Sequence, residues 1–150
     1  MYQVNIYIQT TAQGPAIRKK AYYMYILGCE TKNGIQTRKG SGCIEKCTEN
    51  QAELTALIKA LKRIVKPCSI RVFTRCEHIL NSVNNHWVIQ WEKNSWRNAG
   101  NKPVKNAELW QQYVNLTKEH AVMCINEKHS FSTWMDSELK RIKESDDGKK

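Results

Sequence analysis

Residues 2–11 read YQVNIYIQTT, and the rest of the predicted fold is organised around this stretch. Val4, Ile6 and Ile8 alternate with polar side chains, which indicates a β-strand with one face in the core. The mixed opposite face is expected of a strand inside a sheet that helices cover. In such sheets the functional side chains converge beyond the strand ends. Gln9 stands at such an end, so the residue type at this position bears directly on function.

The segments that follow predict an antiparallel meander of three strands. Residues 12–20 are interpreted as a loop with a Gly-Pro turn at 14–15, and residues 21–27, which are rich in strand formers, as the second strand. The Asn-Gly pair at 33–34 is a hairpin signal, and residues 35–43 are expected to return as the third strand.

The clearest helical pattern begins at Thr48. This residue type is a good N-cap, and Gln51 follows three positions later, as in a capping box. Pro67 is expected to end the helix, because proline lacks the backbone N–H and clashes with the preceding turn. The apolar stripe of the predicted helix consists of Leu54, Leu57, Ile58, Leu61, Ile64 and Val65.

The rest of the chain predicts one α/β domain. Residues 69–74 indicate a strand that follows a helical crossover, so we expect it to lie parallel to the first strand. The later predicted elements are a helix over 76–83, an exposed basic excursion over 93–105, a helix over 107–120, a strand over 121–125 and a helix over 133–142. A chain of 150 residues is the size of a single domain. We expect that domain to span residues 1–143 and to be followed by a charged C-terminal tail over residues 144–150.

The charge balance restricts the classes of partner. The chain has 24 Lys and Arg against 14 Asp and Glu, a formal charge of +10. Such an excess favours a polyanionic partner, most often nucleic acid, although a basic surface that only keeps the protein soluble is the alternative. No secretory signal opens the chain and no apolar run is long enough to span a bilayer. We therefore expect a cytoplasmic protein without a membrane partner.

The six cysteines do not form a recognisable scaffold. Cys43 and Cys47 are four positions apart, and Cys76 lies close to His78, but neither group has the paired spacing of a zinc site. Reduced, partly buried thiols are the expected state, with a structural zinc ion as the alternative.

Two later stretches carry a resemblance to a known family. Residues 86–97 read HWVIQWEKNSWR, and residues 101–110 read NKPVKNAELW. Together they resemble the basic handle of bacterial type 1 ribonucleases H, in which a tryptophan-bearing helix leads into a lysine-rich loop and a Lys-Pro-Val-Lys-Asn segment. Residues 48–54, TENQAEL, resemble the family's helix with an invariant glutamate. The resemblance extends to about residue 142. It implies a ribonuclease H-like α/β fold: a five-stranded mixed sheet, three strands antiparallel and then two parallel, flanked by helices.

The resemblance also implies a chemistry that this chain lacks the residues to perform. Family members cut the RNA strand of an RNA–DNA hybrid with two Mg²⁺ ions held by four carboxylates. The corresponding positions here are Gln9, Glu53, Arg75 and Ser137. Arg75 would repel each magnesium charge by ~4 kcal/mol at ~4 Å and an effective dielectric of ~20. We therefore predict no Mg²⁺ or other metal binding and no catalytic residue, and we expect Arg75 to form a salt bridge with Glu53.

Two residues are possible substitutes in this site. Asp136 lies one position before Ser137, and one residue on a helix turns a side chain by about 100°, so we expect Asp136 to point elsewhere. His129 resembles the family's loop histidine and is a possible proton carrier. Its loop is shorter than usual and lacks the Gly-His-Pro-Glu-Asn pattern, so an exposed histidine without a role is the expected state.

The nucleic-acid surface implied by the resemblance is better preserved than the catalytic residues. Its predicted members are Thr48, Asn50, Lys93, Trp96, Arg97, Lys102 and Lys105. Such contacts position a duplex without reading its sequence. Trp96 is predicted to be the surface tryptophan, while Trp87, Trp91 and Trp110 are predicted to form the core of the handle.

Three functions remain open on the sequence alone. The first is an inactive ribonuclease H-like domain that binds nucleic acid, either RNA–DNA hybrid, duplex DNA or duplex RNA. The second is a scaffold of the same fold that binds a protein partner. The third is a ribonuclease with a rearranged metal site that uses Glu53, Asp136 and either Glu77 or Glu138, and it requires Arg75 to move away.

Overall fold

A computed structural model describes residues 2–12 and 18–147, with the side chain of Asp147 excepted. The predicted Gly-Pro turn at 14–15 lies outside the described residues. The elements within these ranges are β1 (Tyr2–Thr10), β2 (Lys19–Thr31), β3 (Gly34–Cys47), α1 (Glu49–Leu61), β4 (Cys68–Phe73), α2 (Glu77–Asn84), α3 (Trp87–Lys93), α4 (Ala107–Leu116), β5 (Ala121–Ile125) and α5 (Ser132–Asp147).

The described strands form one five-stranded mixed sheet with the order β3-β2-β1-β4-β5. Strand β1 pairs antiparallel with β2, and β2 pairs antiparallel with β3. Strand β4 runs parallel to both β1 and β5. The predicted architecture, three antiparallel strands followed by two parallel ones, is therefore confirmed, and β1 lies at the centre of the sheet.

The alternation along β1 divides its side chains between two cores. Ile6 and Ile8 belong to the larger core, in which helix α1 contributes Leu54 and Leu57. Tyr7 points to the other face and packs in a second cluster that includes Met135 of α5. Period-two alternation sends successive side chains to opposite faces, which explains why helices cover both sides of this strand.

Helix α1 ends earlier than predicted. It stops at Leu61 rather than near Pro67. The N–H groups of Arg63 and Ile64 bond the carbonyls three residues before them, so the chain tightens into a turn. Val65, predicted to belong to the core stripe, is 90% exposed.

The N-terminus of α1 is capped as predicted. The Oγ1 atom of Thr48 accepts a hydrogen bond from the backbone N–H of Gln51 at 3.3 Å. This bond satisfies one of the unpaired N–H groups of the first helical turn.

Strands β2 and β3 extend well beyond the predicted segments, and their hairpin is shifted by one residue. The two-residue turn is Lys32-Asn33, and Gly34 already pairs with Thr31 as the first residue of β3. Gly34 has φ of +101°, which glycine adopts without steric cost. The added residues are mixed: Glu30, Thr31 and Lys46 are exposed, whereas Gly28 and Cys47 are buried.

The C-terminal helices also differ from their predicted lengths. Helix α4 ends at Leu116 rather than at 120, and α5 continues to Asp147 rather than ending near 142. The extra turns of α5 are attached to β2, because Lys20 Nζ lies 2.7 Å from Asp146 Oδ2 and the Tyr22 hydroxyl also bonds Asp146. The division of the chain into residues 1–143 and 144–150 stays a prediction.

All six cysteines are free thiols. In the part of the chain that the structure describes, the helices are too short or too polar to cross a bilayer.

Candidate functional site

The ends of β1 and β4 bring the candidate site residues together. Tyr7 of β1 is the parallel partner of Phe73 of β4. Gln9 and Arg75 each follow this pair by two residues, so they stand on neighbouring segments at the same end of the sheet. Gln9 is 3% exposed, and its Oε1 atom has no hydrogen-bond partner among the described residues. We refer to Gln9, Glu53, Arg75 and Asp136 as the strand-end site.

Glu53 reaches this end of the sheet from α1 and is buried there. It is 3% exposed, and the hydroxyl of Thr74 donates a hydrogen bond to its Oε2 atom at 3.2 Å. The same hydroxyl accepts the N–H of Cys76 at 3.0 Å, which fixes its direction. Burial raises the pKa of Glu53 to about 8, because desolvation disfavours the charged carboxylate. Glu53 is therefore mostly neutral at pH 7.

Arg75 does not form the predicted salt bridge with Glu53. Its Nη2 atom bonds Asp136 Oδ2 at 3.3 Å, while Glu53 bonds Thr74. The expectation that Asp136 would point elsewhere is also wrong, since helix α5 turns this carboxylate towards the end of β4. Ser137 is exposed at the next position. The side chains of Arg75 and Asp136 are 45% and 51% exposed, so water screens their attraction.

His129 is not the exposed loop side chain that the sequence predicts. Its ring is half-buried and lies 4.4 Å from the ring of Tyr7 and 5.6 Å from that of Phe73. The Nδ1 atom accepts the N–H of Phe131, so the neutral ring carries its proton on Nε2. Burial lowers the pKa of His129, and the nearby positive charge of Arg75 lowers it further. His129 is consequently uncharged at neutral pH, and its ring packs beside the site against the neighbouring aromatic rings.

The donor set of the strand-end site does not fit a pair of Mg²⁺ ions. Magnesium recruits charged carboxylates in octahedral geometry. Here Glu53 is neutralised by burial, Gln9 offers an uncharged amide oxygen, and the carboxylate of Asp136 is engaged by a guanidinium. Within residues 2–12 and 18–147, no three His, Cys, Asp or Glu side chains form a group that could hold a metal ion.

A second candidate region, the basic handle, comprises residues 86–106. It contains helix α3 and a loop closed by an antiparallel bridge between Arg97 and Pro103. Asn98 Oδ1 accepts the N–H groups of Gly100 and Lys102 at 2.9 and 3.0 Å. The described non-glycine residues with positive φ all lie here, namely His86, Ser95, Trp96, Asn101 and Asn106. Left-handed backbone costs free energy and persists where surrounding bonds fix it, so the handle is a preorganised loop.

The basic side chains of the handle face solvent. Those exposed are Lys93, Arg97, Lys102 and Lys105. Arg97 Nη1 donates to the carbonyl of Asn101 at 3.0 Å, which holds this guanidinium against the loop. The handle carries only Glu92 as an opposing charge. It therefore presents a positive surface on a fixed backbone.

The tryptophans of the handle and of the following helix α4 divide between core and surface, although not as predicted. Trp110 is fully buried, and its ring meets that of Trp91 at 5.9 Å. Trp96, predicted to lie at the surface, is half-buried and packs against the main core. Trp87, predicted to be core, is 38% exposed. Packing against the core explains why Trp96 is partly buried. Its predicted contact with nucleic acid stays a prediction.

Thr48 and Asn50 both have structural bonds at the start of α1. Thr48 caps the helix, and Asn50 Oδ1 accepts a hydrogen bond from the thiol of Cys76 at 3.2 Å. These bonds fix the orientation of both side chains beside the strand-end site. Their predicted role in binding a duplex remains a prediction.

Sequence reasoning missed the residues that contact and orient the side chains of the strand-end site. Thr74, which donates to Glu53, was detectable only as a polar residue at a strand end. The aromatic wall of Tyr7, Phe73 and Phe131 joins three distant segments, with Tyr7 stacked on Phe73 at 4.9 Å. A contact between side chains so far apart in sequence leaves no local pattern.

The comparisons with known proteins agree with this fold. The sequence model of the RNase H family matches residues 4–128, and the chain therefore belongs to that family. Ribonuclease H from Campylobacter curvus is 42% identical over 85 residues, which are 57% of this chain and 56% of that protein. Ribonuclease H from Chlorobium chlorochromatii is 38% identical over 89 residues, 59% of this chain and 61% of that protein. The chain thus spans little more than half the length of these curated relatives.

Solved structures show the same fold at lower identity. LC9-RNase H1, described as a type 1 RNase H with the type 2 active-site motif, superimposes with a TM-score of 0.71 at 19% identity, covering 91% of this chain and 69% of that one. A foamy viral protease-reverse transcriptase in complex with dsDNA gives a TM-score of 0.69 at 18% identity, covering 93% and 90%. LC11-RNase H1 in complex with an RNA/DNA hybrid gives 0.57 at 18% identity, covering 91% and 93%.

Proposed function

We propose that this RNase H domain binds RNA–DNA hybrid, or another nucleic-acid duplex, through its basic handle and does not hydrolyse it. The observation that carries the proposal is the composition of the strand-end site. A guanidinium pairs with the carboxylate of Asp136 there, and the buried carboxyl of Glu53 is neutral near pH 7. A site with this charge offers no place for two divalent cations to activate water.

The basic handle supports the binding half of the proposal. Lys93 at the end of α3, and Lys102 and Lys105 in the loop that follows, are exposed on a handle whose loop backbone is fixed by its own hydrogen bonds. Phosphate contacts from such a loop need no ordering of the chain on binding, which lowers the entropic cost. Two of the structural neighbours are described in complex with dsDNA and with an RNA/DNA hybrid, which makes duplexes the first ligands to test.

One experiment separates binding from hydrolysis. The RNA strand of a labelled hybrid is followed by anisotropy at two salt concentrations, and the same samples are then run on a denaturing gel after incubation with Mg²⁺ or Mn²⁺. We expect salt-sensitive binding and an intact RNA strand. Failure to bind hybrid, duplex DNA or duplex RNA at low salt would defeat the proposal. Sustained cleavage that disappears in Glu53→Gln would favour a rearranged catalytic site.

A specific surface favours a protein-binding scaffold as the second candidate. An open cavity of about 350 Å³ lies at the opposite end of the sheet, between the start of β1 and the turn after α1. Exposed Tyr2 and Val65 contribute apolar surface to it, and Arg38, Arg63 and Lys66 line it as well. An apolar cavity among basic residues suits an acidic protein segment. Capture of partners from extract that survives nuclease treatment, and that Val65→Asp abolishes, would support this function.

A further inference from the structure

Arg75 occupies an unusual place for a basic side chain. It follows β4 at the end where this strand lies between β1 and β5. From this end of the sheet, the long side chain of Arg75 reaches helix α5, where it contacts Asp136. Its guanidinium is about half exposed and contacts one described carboxylate, that of Asp136.

The bond to Asp136 is weak enough to be exchanged. It is a single contact of 3.3 Å between two side chains that are each about half exposed. Ion pairs of this kind contribute little to stability, because water solvates both partners well when they separate. A guanidinium has five N–H donors, and this contact uses one of them.

The surroundings of Arg75 favour an anionic ligand. Gln9, Glu53 and His129 carry no negative charge at neutral pH, so the acids in this region are Asp136 and Glu49, whose charge acts on Glu53. The rings of Tyr7, Phe73 and Phe131 form an apolar wall around His129. A phosphate diester offers two acceptor oxygens in the planar geometry that a guanidinium binds bidentately. It competes well against one carboxylate oxygen held at 3.3 Å.

We propose that Arg75 binds a backbone phosphate of the nucleic acid at the strand-end site, and that this phosphate displaces Asp136. The inference rests on the proposed function, and it assigns the strand-end site a positive anchor in addition to the basic handle. Duplex binding therefore needs no divalent cation. Asp136 acts as an internal competitor that holds the guanidinium in place until a phosphate arrives.

The test measures hybrid affinity by anisotropy in EDTA across a salt series, with three variants. Arg75→Gln removes the proposed ligand and is expected to weaken binding about 10-fold and to reduce the salt slope by about 0.9, the value of one phosphate contact. Asp136→Asn removes the competitor and is expected to tighten binding a few-fold. Arg71→Gln is the matched control, since Arg71 is exposed on β4 itself, four residues and about 13 Å before Arg75 at ~3.3 Å per residue.

The outcomes distinguish the two proposals. If Arg75→Gln and Arg71→Gln bind the hybrid equally well and with the same salt slope as the wild type, the phosphate anchor is overturned. The proposed function still stands in that case, because the wild type binds. A wild type that binds only with Mg²⁺ also overturns the anchor. A wild type that binds no duplex defeats the proposed function and the anchor together. Because Asp136→Asn predicts an effect of opposite sign, a general loss of folding in either variant cannot imitate the expected pair of results.

Discussion

The strand-end site and the basic handle differ in how their polar side chains are buried and charged. In the strand-end site, Gln9 and Glu53 are buried and uncharged near pH 7, while the half-exposed charges of Arg75 and Asp136 contact each other. In the handle, the backbone is strained and fixed while the charges of Lys93 and Lys102 stay in water. The first arrangement leaves little net charge at the end of the sheet, and the second exposes positive charge to solvent.

Under the proposed function, the chain keeps the phosphate-binding surface of the fold and not its metal site, and the difference between the two regions gives a reason. A divalent-ion site depends on several negative charges within a few ångströms, so a few substitutions abolish it. A phosphate-binding surface depends on a number of separate cations, each contributing modestly. The handle therefore keeps its chemistry under substitutions that would destroy the strand-end site.

The largest effect should come from the buried acid. The pKa of Glu53 is about 8 in the folded chain, above its ordinary value of 4.5. Its contribution to stability is therefore fully present below pH ~4.5 and is lost as the pH rises through ~8. Glu53→Gln should remove this loss, making the variant more stable than the wild type above pH ~8 by up to ~5 kcal/mol. Urea unfolding across this pH range measures the difference.

A matched control uses an acid at the surface. Glu77 is exposed at the start of α2. Comparing Glu53→Gln with Glu77→Gln separates the effect of the buried acid from that of replacing one acid by an amide. A wild-type stability that stays flat from pH ~5 to pH ~9 would show that Glu53 is ionised in the folded protein, contrary to the account of the strand-end site.

The next effect tests the handle. Replacing Lys93, Lys102 and Lys105 together by glutamine should lower affinity for a hybrid by roughly 10- to 100-fold and flatten the salt dependence, because up to three phosphate contacts are lost. The control triple replaces the exposed Lys59, Lys62 and Lys66 near the other end of the sheet. Equal losses in the two triples would mean that net charge, rather than the handle, accounts for binding.

A smaller effect tests the fixed backbone of the handle. Ser95 has φ of +54°, a conformation that glycine adopts without strain. Ser95→Gly should raise the free energy of unfolding by about 0.5–1 kcal/mol. Ala99→Gly is the control in the same loop, where φ is not positive, and it should lower stability slightly. Thermal melts of the two variants check the signs, and two losses would contradict the idea of strain at Ser95.

The smallest effect concerns the ion pair of the strand-end site. A double-mutant cycle with Arg75→Gln and Asp136→Asn should give a coupling energy below ~1 kcal/mol in the free protein, since both side chains are half exposed. Chemical unfolding of the four proteins measures this energy. A coupling well above that value would mean that the pair is too strong for a phosphate to exchange.

Local patterns predicted most of the fold. The alternation in residues 2–11 predicted the central strand, and the strand over 121–125 has the observed bounds of β5. The errors lie where tertiary contacts override local signals. Helix α5 continues past 142 because Asp146 bonds Lys20 and Tyr22, which no pattern within the helix shows.

The candidate site was predictable in its residue types but not in its pairing. The sequence identified Gln9, Arg75 and Ser137 as the altered positions and Glu53 as the retained carboxylate. It could not show that Thr74 would bond Glu53, or that Asp136 would reach Arg75, since both contacts depend on how α1 and α5 are packed on the sheet. Burial, which decides the charge of Glu53, is likewise a property of the whole fold.

The most direct test of the central claim is calorimetric titration of Mg²⁺ and Mn²⁺ into the wild type and into the double variant Gln9→Asp, Arg75→Asp. We predict no saturable binding of either ion to the wild type, and binding to the double variant, in which Glu53, Asp136 and two new carboxylates lie at the end of β4. Saturable binding of two ions to the wild type, lost on Glu53→Gln, would contradict this claim.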